Sequence, residues 1–499
     1  MNNHVISLIV FAPLIGALLQ AFVPSVRSRW IAFATSLVAS AGAMFLVLSM
    51  QVHTADLQAI ESFPWIGSYA ISYDMAIDGL NALVVLLIAI LFPVLIASEW
   101  NQKVGVRGMH SLFLILQSSL SGAVCAQDLF LQFFFWGLSA LPFYFLVGIW
   151  GGAGREKASF RTMIAASLGD ALIFAALILV YYSIDPHSFS LRELAGGKFS
   201  GKVFYMLGYE LSVSGIAFSL LSAGLCLRAP IWPFHGWFTE VAREAPSSVF
   251  VALCAGSVPV ATYIFIRDCY LLFPETLGFA SKMIVGVGVI NLIMGGICAV
   301  SQRNLRSLLA FVCISEVGII LMGVGSLSST GVVGAVYQQL ILGLGVAGFG
   351  LFSGIVFDRT GDTQFLDEKG QRVLGGIATR APAISVLAGV VVASILGFPG
   401  LGGFVGHALV IIGSYSVHPL TVVIAGSSLL LASYYLFSMY RYVFLGKSAT
   451  GLGGFQDLSL RERACMVPIV FGLLFFGLYP KPLIELIRPT VLTLLSTVK

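Results

Sequence analysis

Apolar runs of about twenty residues recur along the whole chain. They lie near 4–24, 30–51, 78–99, 109–126, 129–150, 160–183, 212–233, 247–270, 281–300, 306–326, 331–357, 382–413, 420–443 and 463–480. A helix of that length spans the roughly 30 Å hydrocarbon layer of a bilayer and pairs every backbone N–H and C=O within itself. Few other folds can bury so much apolar surface at such regular intervals. The expectation is an all-α polytopic membrane protein of about 14 transmembrane helices. Composition agrees, since only 10% of the 499 residues are charged against roughly 25% in soluble domains. The gap between 183 and 212 is the longest between runs and is too short for a soluble catalytic domain. The chain therefore reads as one transmembrane domain, 1–499, in contact with the lipid bilayer.

Several function classes drop out. A net charge of +4 gives no support for nucleic-acid binding. Cys125, Cys226, Cys254, Cys269, Cys298, Cys313 and Cys465 are scattered without paired spacing, so no disulfide framework, zinc site or iron–sulfur cluster is expected. No glycine-rich phosphate loop or dinucleotide fingerprint is found, and no metal or cofactor is expected in this chain. The first apolar run lacks the basic leader and small-residue cleavage site of a signal peptide, and reads as a retained helix.

Basic residues in the loops set an orientation. Arg27 and Arg29, Lys103 and Arg107, Arg155, Lys157 and Arg161, Arg303 and Arg306, and the 358–380 and 441–463 loops all fall on one side. The alternate loops, such as QVHTADLQAIESFPW, are poor in basic residues or mixed. The positive-inside rule places the basic side in the cytoplasm. Both termini then face the outer, periplasmic side of the cell's inner membrane.

Two runs carry helix breakers. Pro230 and Pro233 in LRAPIWPFHGW each remove a backbone donor. Pro399 and Gly400 lie in GFPGLGGFVG, inside a run too long for one straight crossing. Loosened backbone at membrane depth is tolerated only where protein or a cavity surrounds it, and one break in each half is the pattern of an ion path at an internal pseudo-symmetry.

Ionisable side chains inside the runs are few. Each costs at least ~2.5 kcal/mol to insert and is a functional candidate by default. Asp170 lies in MIAASLGDALIFAALIL and Arg228 lies just before the first break; a pair between neighbouring spans would neutralise both, serving either ion transfer or packing. Glu316 in LLAFVCISEVGIILMGV has no partner nearby in sequence and suits either a proton carrier or a structural carboxyl. His407 follows the second break, as a relay histidine or a satisfied core one. The mixed FHGWFTEVAREAPSS stretch reads as a solvated turn.

Five ordered stretches carry a family resemblance: QDLFLQFFFWGLSALPFYFLVGIWGG, RAPIWPFHGWFTEVAREAPSSVFVALCAG, SQRNLRSLLAFVCISEVG, GAVYQQLILGLGVAGFGLFSGIVFDRTG and LGFPGLGGFVGHALVIIGSY. Together they resemble the antiporter-like membrane subunits of proton-pumping NADH:quinone oxidoreductase (respiratory complex I), which are related to Mrp antiporter subunits. The FGLYPKPLIELIRPTVLTLL tail favours the subunit M (chain 4) branch. The resemblance covers roughly residues 75–485. It implies two inverted five-helix repeats, each with a broken helix. The layout is N-terminal helices over 1–108, a first repeat over 109–270, a second over 281–443, and a C-terminal helix and tail over 444–499.

The resemblance also implies a function: coupling electron transfer to proton or cation translocation alongside other membrane subunits. Its ion-path positions are altered here. Gly137 stands where a helix-5 glutamate is usual, Arg228 where a lysine is usual, Pro259 at a second lysine position, Leu342 at a histidine position. Glu316 and His407 fall where the family has histidine and glutamate. One reading is a rewired carrier using Asp170, Arg228, Glu316 and His407, with Asp170 replacing the lost acid and lying within ion-pair reach of Arg228. Another is a non-conducting structural paralogue. A third is an antiporter-like subunit of a Mrp-type or inorganic-carbon uptake system. Any redox label would describe the assembly and not this chain.

Overall fold

The computed structural model describes residues 4–199, 201–206, 209–367, 369–446 and 455–498. Residues 447–454 of the basic 441–463 loop lie outside that set. Nine described helices are long and apolar enough to cross a membrane, and a tenth forms if one bent pair counts as a span. Shorter apolar helices run over Val5–Leu19, Ala82–Ser98, Val213–Arg228, Pro382–Ile395 and Gly402–Tyr415. The chain is a multi-pass membrane protein.

Burial sorts these helices. Ser247–Leu272 and Leu305–Gly325 are enclosed along their whole apolar windows, whereas Ser25–Leu48 and Pro419–Val443 are buried over a third of theirs or less and carry Trp30, Leu48, Leu430 and Tyr434 on open faces. In a bilayer those faces meet lipid or neighbouring subunits. Both breaks lie where the prolines sit: Val213–Arg228 stops before Pro230 and resumes at Gly236–Glu244, and Pro382–Ile395 stops before Pro399 and resumes at Gly402–Tyr415. Gly400 takes φ +89, a conformation that favours glycine.

Two expectations need correction. Helices hold 74% of the residues, but the chain is not all-α. Strands Gln58–Ile66 and Ile71–Ile77 form an antiparallel hairpin, and Val203–Met206 pairs with Tyr209–Ser212. The first hairpin has a clear physical role, because Glu61 accepts hydrogen bonds from Ile6 N at 2.8 Å and Ser7 N at 3.1 Å. A carboxylate thereby caps the open N–H groups of the first helix. Second, the tail beyond 480 is a helix, Lys481–Thr497, bent 74° from Leu460–Leu478. The 129–150 run is one candidate span of 22 residues, as expected, with a local irregularity. It divides into Leu129–Leu138 and Ala140–Trp150 around Ser139, because Pro142 has no N–H to offer the Leu138 carbonyl.

Candidate functional site

The first cluster forms where two helices approach unusually closely. A Cβ on Gly169 would stand 2.8 Å from Gly224 O, and one on Gly224 would stand 2.6 Å from Gly169 O. Only glycine fits at both positions, the small-residue contact expected between membrane helices. One residue beyond Gly169 stands Asp170, and one helical turn beyond Gly224 stands Arg228. The close crossing brings them together with Arg228 Nη1 3.6 Å from Asp170 Oδ2.

Arg228 is buried and held on three further sides. Its Nη2 donates to Ser139 Oγ at 2.7 Å and to the Trp136 carbonyl at 3.1 Å. Its guanidinium also lies 4.2 Å over the Trp136 ring, a cation–π contact worth ~2 kcal/mol when desolvated. The break at Ser139 thus has a use: it turns a serine hydroxyl and a helix carbonyl toward the arginine. Gly137 faces the same gap, and a Cβ there would meet only Asp170 Oδ2, at 3.9 Å. The carboxyl of Asp170 therefore occupies the space that a longer side chain at 137 would enter.

The second cluster lies at the other break. His407 Nε2 is 3.0 Å from Glu316 Oε2, and Gln338 Nε2 donates to the same oxygen at 2.7 Å. All three residues are buried. Glycine makes the room: a Cβ on Gly406 would stand 1.9 Å from Gln338 Oε1, and one on Gly397 would stand 2.8 Å from His407 Nδ1. The imidazole therefore has one nitrogen on a carboxylate and the other against the loosened backbone. Among the described residues that second nitrogen, Nδ1, has no hydrogen-bond partner.

Between the clusters the structure is less polar. Pro259 sits near the start of Val258–Leu272, directly after a π-helical turn over Ala252–Ser257; lacking an N–H, it cannot bond Ala255 in the α-helical register. Leu342 is buried in Ser329–Thr360. One turn from Leu342, however, Gln339 Nε2 donates to Thr262 Oγ1 at 3.0 Å, and Thr262 Oγ1 donates to the Pro259 carbonyl at 2.9 Å. On the other side of Pro259, Ser257 and Arg228 line one small cavity. The neighbours Gln338 and Gln339 thus point to two sides, one to Glu316 and one to the first half.

Sequence reasoning passed over several of these residues. Gln338, Gln339 and Thr262 are neutral and attracted no attention, although adjacent glutamines in an apolar run were a readable signal. It also passed over Arg267, which pairs with Asp78 and donates to Gln127 Oε1 at 2.5 Å. The adjacent opposite charges in YIFIRDCYLL were the sign of it. Among the described residues no group of three or more His, Cys, Asp or Glu side chains is placed to hold a metal ion.

Residues 126–432 match the family described as NADH:quinone oxidoreductase/Mrp antiporter, TM, which is more than half of the chain. The chain belongs to this family. A relative of full length is the NADH-quinone oxidoreductase subunit M of Mycobacterium tuberculosis, 28% identical across 100% of this chain and 95% of its own length. Among solved structures, a chain of respiratory complex I from Thermus thermophilus superposes with a TM-score of 0.88 at 22% identity, covering 99% of this chain and 100% of that one. A chain of the Mrp complex from Dietzia sp. superposes at 0.85 with 19% identity, over 100% and 99%. Both are multi-subunit membrane assemblies, and the fold is shared with them.

Proposed function

We propose that this chain is a membrane-arm subunit of a complex I-like oxidoreductase and carries protons with a rewired set of side chains: Asp170 and Arg228 in the first half, Glu316 and His407 in the second. One observation carries the reading. Glu316 and His407, 91 positions apart in sequence, meet at 3.0 Å in a buried site beside the second break. Packing alone gives no reason to place a carboxyl and an imidazole there, since an apolar pair of similar volume is often as stable or more so.

The reading includes a finer architecture. Counting each interrupted helix once, and the five shorter apolar helices with their continuations, gives 14 crossings arranged as two inverted five-helix repeats, with both termini outside. Electron transfer belongs to other subunits, and this chain needs no cofactor. A second reading, a non-conducting structural paralogue, is favoured by Pro259 and the buried Leu342, which interrupt charge between the clusters. The Gln339–Thr262 link argues for the first.

The deciding experiment is proton uptake per electron in proteoliposomes of the intact complex. Glu316→Gln and His407→Phe should each lower the ratio while quinone reduction continues. An unchanged ratio in both variants would leave only the structural reading.

A further inference from the structure

A neutral side chain outside both clusters joins the first helix break to the helix that carries Glu316. The break opens the backbone between Arg228 and Gly236, and Pro230 and Pro233 bring no N–H to it. The Trp232 N–H, between those prolines, donates to Asn291 Oδ1 at 2.7 Å. Asn291 lies on Pro274–Val300 and is fully buried. Its Nδ2 in turn donates to the Ile314 carbonyl at 2.8 Å, on the turn of Leu305–Gly325 that carries Glu316. The orientation of the amide is dictated, because a peptide N–H can only donate and a carbonyl can only accept. One side chain therefore holds the opened backbone that follows Arg228 with one end and the Glu316 turn with the other.

The two helices behind this amide leave little room for slippage. A Cβ on Gly288 would stand 2.8 Å from Gly318 O, and one on Gly318 would stand 2.5 Å from Gly288 O. One turn past Asn291, a Cβ on Gly295 would stand 2.8 Å from Ser315 N. Ser315 Oγ also donates to the Leu292 carbonyl at 3.2 Å. Pro274–Val300 and Leu305–Gly325 thus meet backbone to backbone on both sides of Asn291, an approach that small residues permit. The Trp232 end differs, since the break reaches the surface with Trp232 39% and Phe234 43% exposed. Leucine at 291 would fill similar space but leave the Trp232 N–H without its acceptor, and a buried unmatched donor is costly. Chains of hydrogen bonds and closely packed elements of this kind carry coupling between distant sites.

We infer that Asn291 is a positioning residue that ties the opened backbone of the first break to the Glu316 turn. Displacement at the Arg228 end of the break then alters the Glu316–His407 contact, and the reverse. Asn291 neither takes nor releases a proton; it acts through the Ile314 carbonyl on the turn whose carboxyl does. The inference rests on the proton-carrying reading of both clusters.

Two measurements on the intact complex test it. In proteoliposomes, assembled Asn291→Leu should lower proton uptake per electron while quinone reduction continues. An asparagine with a purely structural role would reduce the amount of assembled subunit and leave that ratio at the parent value. Because a buried substitution can impair assembly, the second measurement leaves Asn291 in place. Glu316→Gln weakens the charge-assisted contacts of the Glu316 turn, so hydrogen exchange at the Trp232 amide, a report of local opening, should run several-fold faster than in the parent. A parental ratio in assembled Asn291→Leu overturns the inference, and so does unchanged Trp232 exchange in Glu316→Gln. If Glu316→Gln lowers the ratio and Asn291→Leu does not, only the tie fails; if neither lowers it, the proton-carrying reading fails with it.

Discussion

The two halves of the molecule solve one problem in different ways. In the first half an ion pair joins two helices that cross closely at glycines. Position 137 holds glycine, and the Asp170 carboxyl fills the same gap from the next helix, 3.9 Å from where a Cβ at 137 would stand. Its partner is an arginine pinned by Ser139, the Trp136 carbonyl and the Trp136 ring. In the second half a carboxyl and an imidazole, Glu316 and His407, meet in a buried hydrogen bond at 3.0 Å. Each helix break thus gathers one buried polar pair, ionic in the first half and hydrogen-bonded in the second. Arginine keeps a fixed charge and acts on Asp170 electrostatically, whereas the second pair meets through a hydrogen bond that Gln338 shares.

The largest expected effect separates these two kinds of pair. Asp170→Ala leaves Arg228 buried with no ionic partner, a loss of about 3–5 kcal/mol when a buried pair is broken from one side. Thermal unfolding of the purified complex, followed by loss of this subunit, measures it. An Asp170→Leu, Arg228→Met double variant should be less destabilised than either single change. Equal or greater destabilisation in the double variant would show that the pair is no pair.

Next in size is the reciprocal exchange in the second half. Glu316→His combined with His407→Glu should restore proton transport that each single substitution lowers, because the contact survives with its ends reversed. Coupling energies between touching residues run about 0.5–3 kcal/mol. Purely additive loss would mean that Glu316 and His407 act separately.

A smaller change probes the amide between them. Gly406→Ala places a methyl group where Gln338 Oε1 now lies, so Gln338 must give up its 2.7 Å bond to Glu316. Loss of one hydrogen bond to a charged group is worth about 1.5–3 kcal/mol. The expected result is a lowered transport rate with normal assembly. The smallest effect lies outside both pairs. Asp128 accepts from Phe130 N at 2.9 Å and Leu131 N at 3.0 Å, capping the helix that carries Trp136 and Gly137. Asp128→Ala should cost about 0.5–2 kcal/mol and leave transport per electron untouched.

How much of this was legible beforehand follows from what each signal depends on. Runs of apolar residues report on the bilayer, and so the membrane class and both breaks at Pro230, Pro233, Pro399 and Gly400 could be read directly. A lone charge in such a run is equally visible, which is why Asp170, Arg228, Glu316 and His407 stood out. The break at Ser139 was hidden because Pro142 lies in an otherwise ordinary run. The role of Glu61 as a cap for the first helix depends on a hairpin folding back across 55 positions, which no local pattern encodes. Gln338, Gln339 and Asn291 were missed for a different reason: neutral amides cost less to bury than charges and disturb the hydropathy pattern little. Their importance comes only from what they face.

The reading that Asp170 replaces the acid missing at position 137 is tested most directly by moving the carboxyl back. In the intact complex, Asp170→Asn alone should lower proton uptake per electron. Adding Gly137→Glu to that variant places a carboxyl into the same gap from the helix that lacks one. Recovery of the ratio toward the parent value is the result this account requires. No recovery, in a complex that assembles and reduces quinone normally, would contradict it.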